Sequence, residues 1–348
     1  MPRVTEADLK SDIKNSKFDK LYFLFGEEKY LIRHYSNKLT ESILGKGYLD
    51  FNYQKFSSSG STIDEIADAV EALPIMAEKK CVLVTDLDIE GMNATDQKKL
   101  GELISDIPDT TVLIISQVTL DINLKKSAKW KKFISGLEKS GTVISIDKMG
   151  SVAIERQLMS WAKKCGTILS QINAGKIVKL CGSDLLTLKN ETEKLCAYVG
   201  QNEVTEQDID LLITKNLETT VFVLSNALMS GDYNKAYKQL DLLFYQREEP
   251  VAILAVLASS YIDLYRARVA IESGENSKVL SEIFDYKNKE FRIKNAERDS
   301  RKMSTECIKE SINIITETDL ALKSSRTNSR ILMEEMLSKL LVASRKER

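Results

Sequence analysis

Several short stretches carry residue types that could do chemistry. One is Gly26-Glu27-Glu28-Lys29-Tyr30-Leu31-Ile32-Arg33, directly after the apolar run Leu21-Tyr22-Phe23-Leu24-Phe25. A phosphate-binding loop would begin at such a glycine. It needs GxxxxGK followed by Ser or Thr, because backbone amides cradle the phosphates, the lysine neutralises them and the hydroxyl holds magnesium. The second glycine, the lysine and the hydroxyl are missing at the required spacing, and Glu27 and Glu28 would repel a triphosphate. ATP binding is therefore not expected here. Val82-Leu83-Val84-Thr85-Asp86 mimics a second nucleotide motif, an apolar strand ending in an acid that would hold magnesium. Without the phosphate loop, Asp86 reads as a turn residue. Ser116-Gln117, after Thr111-Val112-Leu113-Ile114-Ile115, sits where nucleotide hydrolases keep a polar sensor and falls with the same argument.

Other chemistries are excluded by composition. The lone histidine, His34, lies in a probable helix, where a surface or half-buried structural role is expected rather than catalysis. The cysteines Cys81, Cys165, Cys181, Cys196 and Cys307 are odd in number, widely spaced and without a CxxC pair. They read as buried reduced thiols, giving no zinc site and no disulfide framework. No cofactor and no metal are expected. Lys plus Arg is 50 against 51 for Asp plus Glu, a formal net charge of -1, so any nucleic-acid contact must be local or shared with partner chains. Lysines do cluster at Lys125, Lys126, Lys129, Lys131 and Lys132 around Trp130, and basic residues again at Lys287, Lys289, Arg292, Lys294, Arg298, Arg301 and Lys302. Either set could meet phosphate, but a solvated helix face is the default for such runs.

A different kind of chemistry, apolar contact, is suggested by EALPIMAEKKCVLVTD at residues 71–86. Leu73, Ile75 and Met76 are bent around Pro74, between an amphipathic helix pattern (Ile63, Ile66, Ala67, Val70) and a strand at Cys81-Val82-Leu83-Val84. Pro74 should end the first helix or sit in the first turn of a new short one. Polar residues are the usual choice in such a connection. The three large side chains either cap the core of the sheet or face a partner.

The elements that must position these residues are legible in part. Over residues 1–146, apolar strands at 21–25, 81–84, 111–115 and 142–146 alternate with helices, which predicts a parallel sheet covered on both faces. A polar turn is expected at Ser57-Ser58-Ser59-Gly60-Ser61. After Gly150 the strands stop. Three helices follow to Val199, the first ending at Gly166 and the second at Gly182, and Thr205 with Asp208 resembles a capping box for a further short helix. From about Asn216 everything reads as helix, with Gly231-Asp232 as stop and cap and Pro250 opening a long apolar helix. The charged start of the chain and the lack of an uninterrupted apolar run of about 18 residues make a cytoplasmic protein without membrane spans the expectation.

Read as a whole, the chain resembles the delta-subunit family of bacterial DNA polymerase III clamp loaders. LYFLFGEEKYLI, TTVLIISQ, LCGSDLLTLKNETEKL, ETTVFVLSNALMSGD, REEPVAILAVLAS and TDLALKSSR occur in the order and spacing of that family, and the similarity covers residues 17–342. The resemblance implies an α/β N-terminal domain (AAA+-like, parallel sheet with helices on both faces, degenerate nucleotide site) followed by two all-α domains. These would be a three-helix lid at 147–214 and a helical collar at 215–348, after a first domain at 1–146. Catalytic relatives place an Arg shortly after the glycine at Gly182, where this chain has Ser183-Asp184-Leu185-Leu186. An SRC arginine-finger motif is also absent, since Ser325-Arg326 lies in the wrong domain.

By the same resemblance the chain has no active site of its own, although as a holoenzyme member it would be classed with DNA-directed DNA polymerase, a nucleotidyltransferase. It would bind the sliding clamp (the beta subunit) and open its ring for loading on primed DNA, in a complex with gamma/tau and delta-prime subunits, while partner subunits supply ATP hydrolysis. LPIMAEKKCVLV is similar to the clamp-contacting element of the family, a short helix whose paired apolar residues enter a pocket on the clamp. Ile75 and Met76 match that pair, with Leu73 beside them, and the family often has an aromatic at the position of Met76. The lysines at 125, 126, 129, 131 and 132 are candidates for DNA contact. Two other classes remain open at this level: an independent ATPase using Asp86, and a stand-alone DNA-binding protein using the lysines around Trp130.

Overall fold

The computed structural model describes residues 6–45, 49–57, 60–275, 279–284, 286 and 290–345. The chain divides into two compact units, Met1–Ile154 and Glu155–Arg348. In the first, α1 (Glu6–Asn15) leads into β1 (Leu21–Phe25) and α2 (Lys29–Leu44). Then come α3 (Leu49–Asn52), β2 (Tyr53–Ser57), α4 (Ile63–Glu71), β3 (Lys80–Thr85), α5 (Ala94–Ser105), β4 (Thr111–Ser116), α6 (Ala128–Ser140) and β5 (Thr142–Ser145). The strands form one sheet in the order β2-β3-β4-β1-β5, with every neighbouring pair parallel.

Both sheet faces are buried, as the unbroken apolar strands require. Leu21, Phe23, Phe25, Val82, Val84, Leu113 and Ile115 pack with Ile66 and Val70 of α4, Leu100 of α5 and Trp130 and Ile134 of α6. The alternate residues Tyr22, Leu24, Cys81, Leu83, Val112 and Ile114 are equally buried, and α2 lies against β1, β3 and β4. The strand β2 was not anticipated; the expected polar turn follows it, with Gly60 N–H donating to Ser57 O at 3.0 Å, while Ser58 and Ser59 lie outside the described residues. In β2, Gln54, Lys55 and Ser57 are exposed while Tyr53 and Phe56 are half-buried, so it is an edge strand with little apolar signal.

The helix α7 (Ser151–Lys164) spans the boundary into the second unit, which continues with α8 (Gln171–Cys181), α9 (Leu185–Val199) and α10 (Glu206–Leu212). Next come α11 (Leu217–Met229), α12 (Tyr233–Tyr245), α13 (Pro250–Glu272), α14 (Val279–Ile283), α15 (Glu290–Ser300), α16 (Thr305–Ser324) and α17 (Ser329–Arg345). The caps are those the sequence announced. Gly182 ends α8 at φ +83°, Thr205 and Asp208 form a complete capping box for α10, Asp232 caps α12 and Pro250 opens α13. By length and composition α13 could cross a membrane. Here it runs through a helical core in which its Ile253, Leu257, Tyr261 and Leu264 meet Leu224, Ile308, Met336 and Leu340. Four of the cysteines are buried free thiols; Cys165, expected inside, is exposed at the end of α7.

Candidate functional site

Parallel α/β sheets usually bind ligands outside the carboxyl ends of their strands, which is where the nucleotide motifs would lie. In this chain that edge is stitched shut. Gly26 has φ +138°, and a Cβ built there would stand 2.2 Å from the Ile146 carbonyl oxygen. The Ile146 N–H donates to Phe25 O at 2.8 Å, and the Glu28 N–H donates to Ile146 O at 3.1 Å. The amide that would face a phosphate is thus occupied by backbone. Glu28 is buried and Glu27 exposed, while the Lys29 ammonium donates to Leu120 O and pairs with Asp121 at 3.0 Å.

Asp86 is a turn residue, as expected. It has φ +55°, its N–H donates to Ser116 O at 2.9 Å, and its Oδ1 accepts from the N–H groups of Thr119 at 2.7 Å and Leu120 at 3.2 Å. Ser116 and Gln117 are buried; the Gln117 amide donates to Leu87 O at 3.0 Å. Among the described residues, no group of three or more His, Cys, Asp or Glu could hold a metal ion. At the position after Gly182, Asp184 caps α9 by accepting from Thr187 N–H at 2.7 Å.

The amino edge of the sheet is different. The helix α4 begins with a full capping box, Thr62 with Glu65, and ends at Glu71. The chain then runs through residues 72–79 as bends before β3 starts at Lys80. Of the two expectations for Pro74, the first fits: α4 ends before it, and no new short helix follows. Ala72 is already extended at ψ 145°, Met76 sits in the left-handed region at φ +53°, and the side chain of Asn52 takes both backbone groups of Ile75. Its Nδ2 donates to Ile75 O at 2.8 Å, and its Oδ1 accepts from Ile75 N–H at 2.7 Å.

Leu73, Ile75 and Met76 are 78%, 53% and 84% exposed. The reading in which they cap the core of the sheet is thereby overturned: among the described residues Leu73 and Met76 stand largely in solvent and Ile75 about half so. What lies beneath them is firm. The buried Lys80 ammonium donates to Ala69 O, Thr111 Oγ1 donates to Val70 O at 2.9 Å, and Lys80 N–H donates to Thr110 O at 2.9 Å. The last carbonyls of α4 are therefore held by β3 and β4. Burial pushes the Lys80 ammonium below the ordinary lysine pKa.

The lysine cluster is only partly assembled. Lys125, Lys126, Lys129, Lys131 and Lys132 are all exposed, but Trp130 between them is 4% exposed and stacks on Phe23, so it offers no platform for a base. Lys129 and Lys132 line a groove of about 560 Å³ between α5 and α6, joined there by Lys98. The Lys129 ammonium donates to Glu90 O at 3.0 Å. Lys131 lies outside that lining. Of the second basic set, Lys287 and Lys289 lie outside the described residues. Arg292 pairs with buried Asp263 at 2.6 Å, Arg298 and Lys302 hold buried Asp299, and Arg301 pairs with Glu297. His34 is exposed and stacks against Tyr30.

The model of the family "DNA polymerase III, delta subunit" matches residues 22–147, and that of its C-terminal domain matches residues 218–340. The chain belongs to the DNA polymerase III delta-subunit family. Similar along nearly its whole length is the DNA polymerase III subunit delta of Bacillus subtilis, 23% identical over 346 residues, covering 97% of this chain and 98% of that one. A probable DNA polymerase III subunit delta of Aquifex aeolicus is 23% identical over 286 residues, covering 79% and 78%. The solved structure of the Bacillus subtilis DNA clamp loader delta protein shares the fold, with a TM-score of 0.64 at 21% identity over 97% of this chain and 99% of that one.

Two residues of this delta-family chain escaped the sequence reading. Phe51, on α3 next to Asn52, is 70% exposed. Asn52 is 3% exposed and sits 23 positions before the residue it holds. The only sequence signal was a polar side chain beside a lone phenylalanine in LDFN.

Proposed function

We propose that this delta-family chain is a clamp-loader subunit that binds the sliding clamp through Leu73, Ile75 and Met76 and opens its ring by that binding. The observation that carries the reading is an apolar loop exposed on a firmly anchored stem, on a chain whose nucleotide edge is closed. Burying such side chains is worth about 1.5 to 3 kcal/mol each before ordering and association costs. A ring opens if its open form binds the loop better than its closed form does, so differential affinity suffices and no bond chemistry is required. ATP hydrolysis falls to partner subunits of the complex, in which gamma/tau and delta-prime are the assembly partners. The helices after Gly150 serve as lid (147–214) and assembly collar (215–348). Lys125, Lys126, Lys129, Lys131 and Lys132 are the residues we assign to primed DNA within the complex, as phosphate contacts without base stacking.

The test is binding of the purified chain to its sliding clamp without nucleotide, beside an Ile75→Ala/Met76→Ala variant. Tight binding by the parent and a loss of about 2 kcal/mol or more in a folded variant support the reading. Equal binding by both moves the contact elsewhere, and saturable magnesium-dependent ATP binding by the chain alone would return it to the ATPases.

A further inference from the structure

A loop that docks by a few apolar anchors binds better if its backbone is already in the bound shape, because less freedom is lost on docking. The segment from Leu73 to Lys79 has no helix and no strand. Among the described residues, its backbone receives no other hydrogen bond than the pair from Asn52. That pair runs in both directions, amide to carbonyl at 2.8 Å and N–H to amide oxygen at 2.7 Å, as a neighbouring strand would make it. Its donor is itself fixed: Asn52 is 3% exposed and is followed directly by β2, which pairs with β3. Residue 76 next to it keeps φ +53°, a conformation that a methionine holds only where its surroundings impose it.

We propose that Asn52 is the positioning residue of the clamp-contacting loop: it presets the backbone of Ile75, and through it the directions of Ile75 and Met76, without touching the partner. This rests on the reading of the loop as the clamp contact. A carboxylate at 52 would keep the acceptor for Ile75 N–H but turn an oxygen towards Ile75 O, so the isosteric change is disruptive while truncation is merely permissive.

The experiment is a double-mutant cycle of clamp binding on the full chain, with Asn52→Ala and Asn52→Asp each made in the parent and in the Ile75→Ala/Met76→Ala background. Thermal melting of each variant and hydrogen exchange at the Ile75 amide are followed in parallel. In the parent background, both Asn52 variants are expected to weaken binding about tenfold or more, and Asn52→Ala, which removes the acceptor, to speed exchange at Ile75. In the Ile75→Ala/Met76→Ala background they should cost far less, because the two side chains nearest the held backbone are no longer there to be presented. Equal losses in both backgrounds, or an Ile75 exchange rate unaltered in Asn52→Ala, would make Asn52 a stability residue only and overturn the proposal. Parent-like binding by Ile75→Ala/Met76→Ala would instead sink the docking reading itself, and Asn52 with it. Parent-like binding by Asn52→Ala alongside a clear loss for the anchor variant sinks only the positioning role.

Discussion

The two edges of the sheet are built from the same kind of parallel strand and finish in opposite ways. At the carboxyl edge, the loop after β1 and the loop after β3 are closed on themselves by backbone bonds to Ile146 and by the carboxylate of Asp86. At the amino edge, the connection from α4 to β3 is pinned at its base yet lifts three apolar side chains into solvent. The difference teaches that one sheet can tie down one edge with its own backbone and still leave apolar side chains in solvent at the other. After β1 the backbone groups have partners within the chain, and the apolar loop lies at the other end of the strands.

The largest expected effect tests the closed edge. Gly26→Ala must place a Cβ against the Ile146 carbonyl in a backbone region alanine avoids, so it should destabilise the chain by roughly 3 kcal/mol in denaturant unfolding. A neutral outcome would mean the seam at this edge is loose. Next is the open edge. Ile75→Ala/Met76→Ala should leave the unfolding midpoint within roughly 0.5 kcal/mol of the parent, since both side chains are exposed, while costing about 2 kcal/mol or more in clamp affinity.

A finer cut separates strain from contact. Met76→Gly should raise stability by about 1 kcal/mol by relieving a left-handed residue, and weaken clamp binding. Stability and binding moving together would deny that the loop is held in a working shape. The smallest effect concerns the capping box of α4. Hydrogen bonds from the Thr62 backbone and side chain hold the exposed Glu65 carboxyl below its ordinary 4.5. A depressed carboxyl contributes stability above its unfolded pKa and loses it as pH falls through the folded one. Glu65→Gln should therefore flatten part of the acid limb of a melting-temperature profile below about pH 4.5 and leave neutral-pH clamp binding unchanged.

Much of this was legible in the residues. The strands at 21–25, 80–85, 111–116 and 142–145 are apolar throughout because both faces are covered, and that burial is what the sequence records. That the phosphate-loop pattern is incomplete is likewise plain from the residues alone. Three things were not. The strand β2 is an edge strand whose outward positions carry Gln54, Lys55 and Ser57, so burial left too faint a pattern. In residues 72–79 the backbone of Ile75 is held by Asn52, a partner brought close only by the fold. Local proline logic offered a helix end or a new short helix; the helix does end before Pro74, but the remote bond to Ile75 was beyond its reach. The exposure of Leu73, Ile75 and Met76 was likewise undecidable from residue type, since apolar side chains serve a core and a contact equally well.

The anchoring of the apolar loop has a mechanical side. Its far stem is β3, which is paired along its length with β2 on one side and β4 on the other. Its near stem, α4, is tied by Lys80 and Thr111 to β3 and β4. A pull on the loop is thus delivered along the axis of an inner strand. The load is shared by many ladder bonds in shear and does not unzip them one at a time.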